Sequence, residues 1–128
     1  MTTVLIIEDN LEIRENTTEI LELAGYCVIT AADGAEGIQA AKSQVPDIIL
    51  CDIMMPNVNG YTVLKTLREY EPTHHIPFVY VTASTEKSAI NQAMEMGASA
   101  YVRKPFEAKE LTDTIQNCLQ KRSSDRPS

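Results

Sequence analysis

An open, doubly wound α/β fold with a five-stranded parallel sheet is predicted for this chain of 128 residues, and three observations carry the prediction. Short apolar runs alternate five times with longer helical patterns, the signature of repeated strand-helix units. Three of the runs, Val4 to Ile7, Ile48 to Cys51 and Phe78 to Val81, are nearly continuous. Strands covered by helices on both faces need that composition, whereas an antiparallel sheet with one wet face alternates polar and apolar residues. Turn and stop residues, Gly25, Asp33-Gly34, Pro46 and Gly97, stand at the joints. Crossovers between parallel strands are right-handed, and ligands of such sheets lie outside the carboxyl ends of the strands.

The elements follow in order. Val4 to Ile7 is the first strand, followed by a helix from Leu11 to Ala24 with Ile13, Ile20 and Ala24 on one side and Gly25 to end it. Cys27 to Ala31 is the second strand. After the Asp33-Gly34 turn a helix runs from Ala35 to Ser43, its Ala35, Ala40 and Ala41 small enough for close packing, until Pro46 blocks it. Ile48 to Cys51 is the third strand and Gly60 to Tyr70 the third helix. Phe78 to Val81 precedes a helix from Glu86 to Met96, which Gly97 stops. Ala100 to Val102 is the last strand, and the last helix, Glu107 to Gln120, sets Ala108, Leu111, Ile115 and Leu119 in register. The first, third and fourth strands should be central. Lys121 to Ser128 is polar, contains Pro127 and reads as a tail or the start of a linker.

Composition narrows the function classes. Eighteen acidic against eleven basic residues give a net charge of −7, which opposes attraction to a nucleic-acid backbone or an anionic membrane surface. No apolar run approaches the roughly 20 residues that span a bilayer. Met1-Thr2-Thr3 carries no basic segment before its first apolar run, so a cytoplasmic protein is expected. Cys27, Cys51 and Cys118 are odd in number, widely spaced and without a C-x-x-C pair, which suits buried small hydrophobes and neither a disulfide framework nor a zinc site.

Four of the five strand ends carry polar groups: Glu8-Asp9, Asp52, Thr82 and Lys104-Pro105. Asp9 or Asn10 would serve as a helix cap, and capping alone would account for the first acid pair. With the first and third strands adjacent, however, Glu8, Asp9 and Asp52 crowd one spot. Like charges at that range raise one another's proton affinity, so the cluster calls for a counter-charge. Oxygen ligands without His or Cys favour Mg²⁺ or Mn²⁺, and Mg²⁺ held by few carboxylates keeps waters for an incoming phosphate. Lys104 adds a second positive charge and Thr82 a hydroxyl. A carboxylate nucleophile, a carboxylate-held metal, a lysine and a hydroxyl are the parts needed for phosphoryl transfer to aspartate, which asks for charge neutralisation and alignment and no separate base.

In these features the chain resembles the receiver domain of a two-component response regulator, similar to the chemotaxis-type, CheY-like single-domain members. The resemblance covers about Thr3 to Leu119 and rests on Ile6-Ile7-Glu8-Asp9, Asp52 with Met54-Met55-Pro56 and Gly60, Val81-Thr82-Ala83, Gly97-Ala98, and Tyr101-Val102-Arg103-Lys104-Pro105-Phe106. It implies a flavodoxin-like sheet of order 2-1-3-4-5 and a receiver domain over residues 1–120, with 121–128 outside it. It implies that Asp52 accepts a phosphoryl group from a phosphohistidine on a sensor histidine kinase or phosphotransfer protein, with Mg²⁺ as cofactor and Mn²⁺ as substitute. The metal ligands it implies are Glu8, Asp9, Asp52 and the backbone carbonyl of Met54. Lys104 would contact the phosphoryl group, Thr82 would swing to bond it, and Tyr101 would be the switch aromatic that alters the face of the fourth helix, fifth strand and fifth helix. Lys87 lies near that face, while Ile90 and Met94 read as core. The peptide before Pro105 is a candidate cis bond.

Such a chain is a phosphorylation-switched signalling module that catalyses its own phosphorylation and dephosphorylation rather than a metabolic enzyme. Its output would be a protein target, a phosphorylation-dependent dimer, or an output domain missing from the sequence. Met54 and Ser84 flank the path of the hydrolytic water and neither carries a charge, which predicts slow self-dephosphorylation. Three rivals stand beside this reading. A phosphohydrolase of the haloacid dehalogenase kind usually needs an acid where Met54 stands. A degenerate, constitutive binding module is disfavoured by the complete set Glu8, Asp9, Asp52, Thr82 and Lys104. A flavin carrier would want Thr, Ser and Gly in the loop that here reads Glu8-Asp9-Asn10-Leu11-Glu12.

Overall fold

The computed structural model describes residues 1–83 and 87–124. Its elements are β1 (Thr3–Ile7), α1 (Leu11–Leu23), β2 (Cys27–Ala31), α2 (Gly34–Gln44), β3 (Ile48–Cys51), α3 (Gly60–Glu69), a 3₁₀ turn (Glu71–Thr73), β4 (Phe78–Thr82), α4 (Lys87–Glu95), β5 (Ala100–Arg103) and α5 (Ala108–Ser124). The five strands are all parallel, in the order β2-β1-β3-β4-β5. This is the doubly wound, CheY-like arrangement predicted. Continuous apolar strands occupy the middle: β3 and β4 are buried at every position and β1 from Val4 onward. The mixed strands β2 and β5 form the edges, where one side of the ladder meets solvent.

Because side chains alternate along a strand, the central strands build two cores. On one face Leu5, Ile7, Ile49, Cys51, Phe78 and Tyr80 pack with α2, α3 and α4. On the other, Val4, Ile6, Ile48, Leu50, Val79 and Val81 pack with Leu21 of α1 and Leu111 and Ile115 of α5. α2 packs tightly onto β1 at Gly37. A Cβ there would come within 2.5 Å of the Ile7 side chain.

Several details differ from the sequence reading. α2 begins at Gly34, with Asp33 as its cap, and its buried residues are Gly34, Gly37 and Ala41; Ala40 is half-buried against the same core, while Ala35 is exposed. α1 buries Thr17 and Leu21, while Ala24 is exposed. Thr17 tolerates burial because its hydroxyl donates to the Ile13 carbonyl at 2.7 Å, so a polar residue can occupy the inner face. Met94 is exposed on α4, and Ala93 takes the core position instead, one residue round the helix. Cys51 is buried as expected, but Cys27 is exposed on the edge strand and Cys118 only half-buried. α5 continues past Gln120 to Ser124. The expected helix start at Glu86, Ser84, and the tail beyond Ser124 lie outside the described residues. Among the described residues no helix is long and apolar enough to cross a membrane.

Candidate functional site

The parallel ladders bring the acids together. The Glu8 amide donates to the Ala31 carbonyl at 3.1 Å and the Asp52 amide to the Ile7 carbonyl at 3.0 Å, so both residues leave the sheet at one level from neighbouring strands. Asn10 caps α1, its side-chain oxygen accepting from the Ile13 amide at 2.9 Å. The cap is therefore Asn10 and not Asp9. Carboxylate oxygens of Glu8, Asp9 and Asp52 lie within 4.8 Å of one another, the only such group of three metal-capable residues among the described residues. Glu8 is 3% exposed and Asp52 7%, while Asp9 is exposed, so the cluster has a dry floor and an open lip.

Lys104 closes the other side. Its amide donates to the Thr82 carbonyl at 2.8 Å, which draws the end of β5 over the site, and the Lys104-Pro105 peptide is cis. Its Nζ lies 2.5 Å from Glu8 Oε1 and 3.3 Å from Asp52 Oδ2. The lysine thus leans on Glu8 more closely than on Asp52, a division of its charge that spacing along the chain does not reveal. Burial pushes the Glu8 carboxyl above its ordinary value; the Lys104 hydrogen bond opposes this and the Asp52 charge adds to it. The Met54 amide donates to Asp52 Oδ1 at 3.3 Å, while the Met54 side chain is 73% exposed.

Thr82 ends β4 fully buried, and its carbonyl accepts from the Lys104 amide. Tyr101 pairs with Tyr80 across the β4-β5 ladder and is 41% exposed on the edge strand. The sequence reading missed two supports around Glu8 and, for a third residue that it named, the reason. Arg14 donates to the Glu8 carbonyl at 2.8 Å, and the Asn10 amide donates to Glu8 Oε2 at 3.2 Å. The third is Gly60: a Cβ there would stand 2.5 Å from the Asp52 carbonyl oxygen, so α3 can begin against the phosphoacceptor-candidate strand only with glycine. Its carbonyl accepts from the Tyr80 hydroxyl at 2.8 Å. A tyrosine within a buried strand was the available signal, since its hydroxyl must find a partner.

An aspartate fixed at a parallel strand end, two further acids and a lysine form one charged cleft where this fold class binds ligands. Comparison with known proteins agrees with that geometry: the family described as response regulator receiver domain matches residues 4–116. The chain belongs to this family. The receiver domain is 39% identical over 119 residues to response regulator SaeR of Staphylococcus aureus (strain USA300), a match covering 93% of this chain and 51% of that protein. The chain therefore spans about half the length of the curated relative. Its fold superposes on Vibrio cholerae chemotaxis protein CheY4 with a TM-score of 0.88 at 31% identity, covering 92% of this chain and 98% of that one. It also resembles the receiver domain of sensor histidine kinase PA1611 from Pseudomonas aeruginosa, with a TM-score of 0.87 at 28% identity over 93% of this chain and 98% of that one. That structure has a magnesium ion coordinated in its active-site cleft. The acidic cluster of the present receiver domain, all oxygen donors at a wet rim, suits the same class of cation.

Proposed function

We propose that this receiver domain accepts a phosphoryl group on Asp52 from a phosphohistidine of a sensor histidine kinase or phosphotransfer protein. The observation that carries the reading is the placement of the Asp52 carboxylate, buried but opening to the cleft, with Lys104 and the Met54 amide each on one of its oxygens. A carboxylate oxygen of Asp52 forms the new bond to phosphorus as the phosphorus-nitrogen bond of the donor breaks, its electron pair returning to the imidazole. Lys104 neutralises charge on the transferring oxygens, and the fixed strand end aligns the attack. Glu8, Asp9, Asp52 and the Met54 carbonyl would hold Mg²⁺, or Mn²⁺ in its place, whose chemistry is to add positive charge beside the same oxygens. Thr82 supplies a hydroxyl to the phosphoryl group, and Tyr101 follows it inward, changing the α4-β5-α5 face that a target protein, a second copy or an attached output domain reads. The receiver unit is read as residues 1–120, with 121–128 leading out of it and α5 occupying that stretch as far as Ser124. A cytoplasmic location fits a phosphohistidine donor.

Intact mass after incubation with acetyl phosphate tests this. One Mg²⁺-dependent phosphoryl adduct is expected, absent with EDTA and in Asp52→Asn. An adduct that survives in Asp52→Asn would overturn the assignment, as would failure of the wild-type chain to take up both acetyl phosphate and the phosphoryl mimic beryllofluoride.

The lifetime of the adduct is set by water. Met54 is exposed two residues beyond Asp52 and offers a thioether that cannot orient a hydrolytic water; its supposed counterpart Ser84 lies outside the described residues. Met54→Asn adds one water-orienting hydrogen bond, expected to shorten the phosphoryl half-life by up to about tenfold. Decay of the adduct followed by mass checks it, and an unchanged half-life counts against the role of Met54.

A further inference from the structure

Beside the charged cleft runs a line of contacts that metal and phosphoryl chemistry leave unused. Gly60, the first residue of α3, is fastened to the exit of β3: its amide donates to the Ile53 carbonyl at 2.8 Å, and its own carbonyl accepts from Tyr80 at 2.8 Å. Tyr80 is fully buried, with the rings of Phe78 and Tyr61 edge-on to it at 5.1 Å and 5.9 Å between centroids. Tyr61, the next residue of α3, is half-buried and sends its hydroxyl across to α4, where it donates to the Ala89 carbonyl at 3.1 Å. Ala89 is the third residue of α4.

We propose that the Tyr61 hydroxyl is a tether that holds the first turn of α4 in its resting position and so sets how readily that side of the switch face answers Asp52. The proposal rests on the reading that Asp52 is the phosphoacceptor and that α4 belongs to the face that changes. Three features argue for it. The tether begins at a point that cannot drift, because Gly60 is wedged against the Asp52 carbonyl. It passes through an aromatic ring with two rotatable bonds, packed on Tyr80, so it transmits position rather than absorbing it. It ends on a short helix of which Ala93 is the buried position, a helix with little core contact of its own to fix it. Tyr61 is a positioning residue, acting through α4 and touching no reacting atom.

Tyr61→Phe removes the hydroxyl and keeps the ring. In the resting chain, amide exchange over α4 is expected to quicken while exchange in the central strands stays unchanged. In saturating Mg²⁺, the calorimetric affinity for beryllofluoride is expected to rise about three- to tenfold, the weight of one net hydrogen bond that favoured the resting state alone. A merely structural role would move that affinity downward or leave it alone. Unchanged α4 exchange would overturn the tether, and quickened exchange with unchanged or weaker beryllofluoride binding would overturn its coupling to the switch. Failure of the wild-type chain to bind beryllofluoride would overturn the coupling, and, together with failure to take up acetyl phosphate, the phosphoacceptor reading as well.

Discussion

Replacing Lys104 with alanine is expected to lower the rate of phosphoryl transfer to Asp52 by about a hundred- to a thousandfold, the cost of removing one preorganised cationic donor. The same substitution is expected to strengthen Mg²⁺ binding. Lys104 contacts both Glu8 and Asp52, so its ammonium already neutralises the carboxylates a divalent cation would occupy. Without it the mostly buried acids face each other uncompensated, and a cation from solution becomes the remedy. The metal-free variant should therefore melt below the wild type, and added Mg²⁺ should recover more of its stability than it does for the wild type.

Acidity makes the Lys104 argument sharper. Burial raises the Glu8 carboxyl above its ordinary 4.5 in the metal-free chain, so the folded state holds this proton more tightly than the unfolded one. A raised carboxyl contributes stability that is complete below 4.5 and is lost as pH rises through the higher folded value. Removing Lys104 takes away the hydrogen bond that opposes the rise, which extends the loss to higher pH. Melting curves across pH with EDTA, and calorimetric Mg²⁺ titrations at neutral pH, check both statements. A variant with weaker Mg²⁺ binding and an unaltered pH profile would show that Lys104 does not compete for the cluster.

Gly60→Ala is expected to destabilise the domain by about 1–3 kcal/mol, the usual cost of overpacking. The cost should fall toward the upper end, because a Cβ would meet the Asp52 carbonyl oxygen at 2.5 Å and the Ile53 Cα at 2.8 Å, both backbone atoms that cannot rotate aside. The melting temperature should drop by roughly 5–10 °C. Function should suffer beyond stability. The strain falls on the peptide that carries Asp52, and displacing a reacting group by about 1 Å costs on the order of a hundredfold. Thermal melts and initial rates of adduct formation, taken well below the melting point, separate the two effects. A variant that melts like the wild type would mean that α3 slides away without cost.

How far these features were legible depends on their range along the chain. The topology was written into residue order: continuous runs at Val4, Ile48 and Phe78 announced buried parallel strands, and the strands placed Glu8 and Asp52 side by side. Glu8, Asp9, Asp52, Thr82 and Lys104 could be named because strand ends are short and charged against an apolar background. Arg14 could not, since a helical arginine reaching a carbonyl six residues back looks like any solvated arginine. Nor could the partition of Lys104 between two acids, which depends on a β5 exit drawn onto Thr82 from 22 residues away. Met94 was misjudged because α4 is short and its neighbours Ala93 and Met94 differ by one step of rotation; hydrophobicity favours Met inside, while the helix turns Ala93 to the core.

One consequence of the two-sided core concerns the order in which the chain is made. Val4 and Ile6, among the first residues of the domain to be synthesised, share their core with Leu111 and Ile115, near the end of the same domain. Until α5 has emerged, the α1 side of β1 and β3 stays partly uncovered, however complete the rest of the sheet. A nascent chain halted before Leu111 would carry Ile6, Leu50 and Val81 as a sticky surface for chaperones or for other nascent chains. The signalling cleft sits at the ends of those same strands, so it acquires a finished floor only when synthesis of the domain is nearly over.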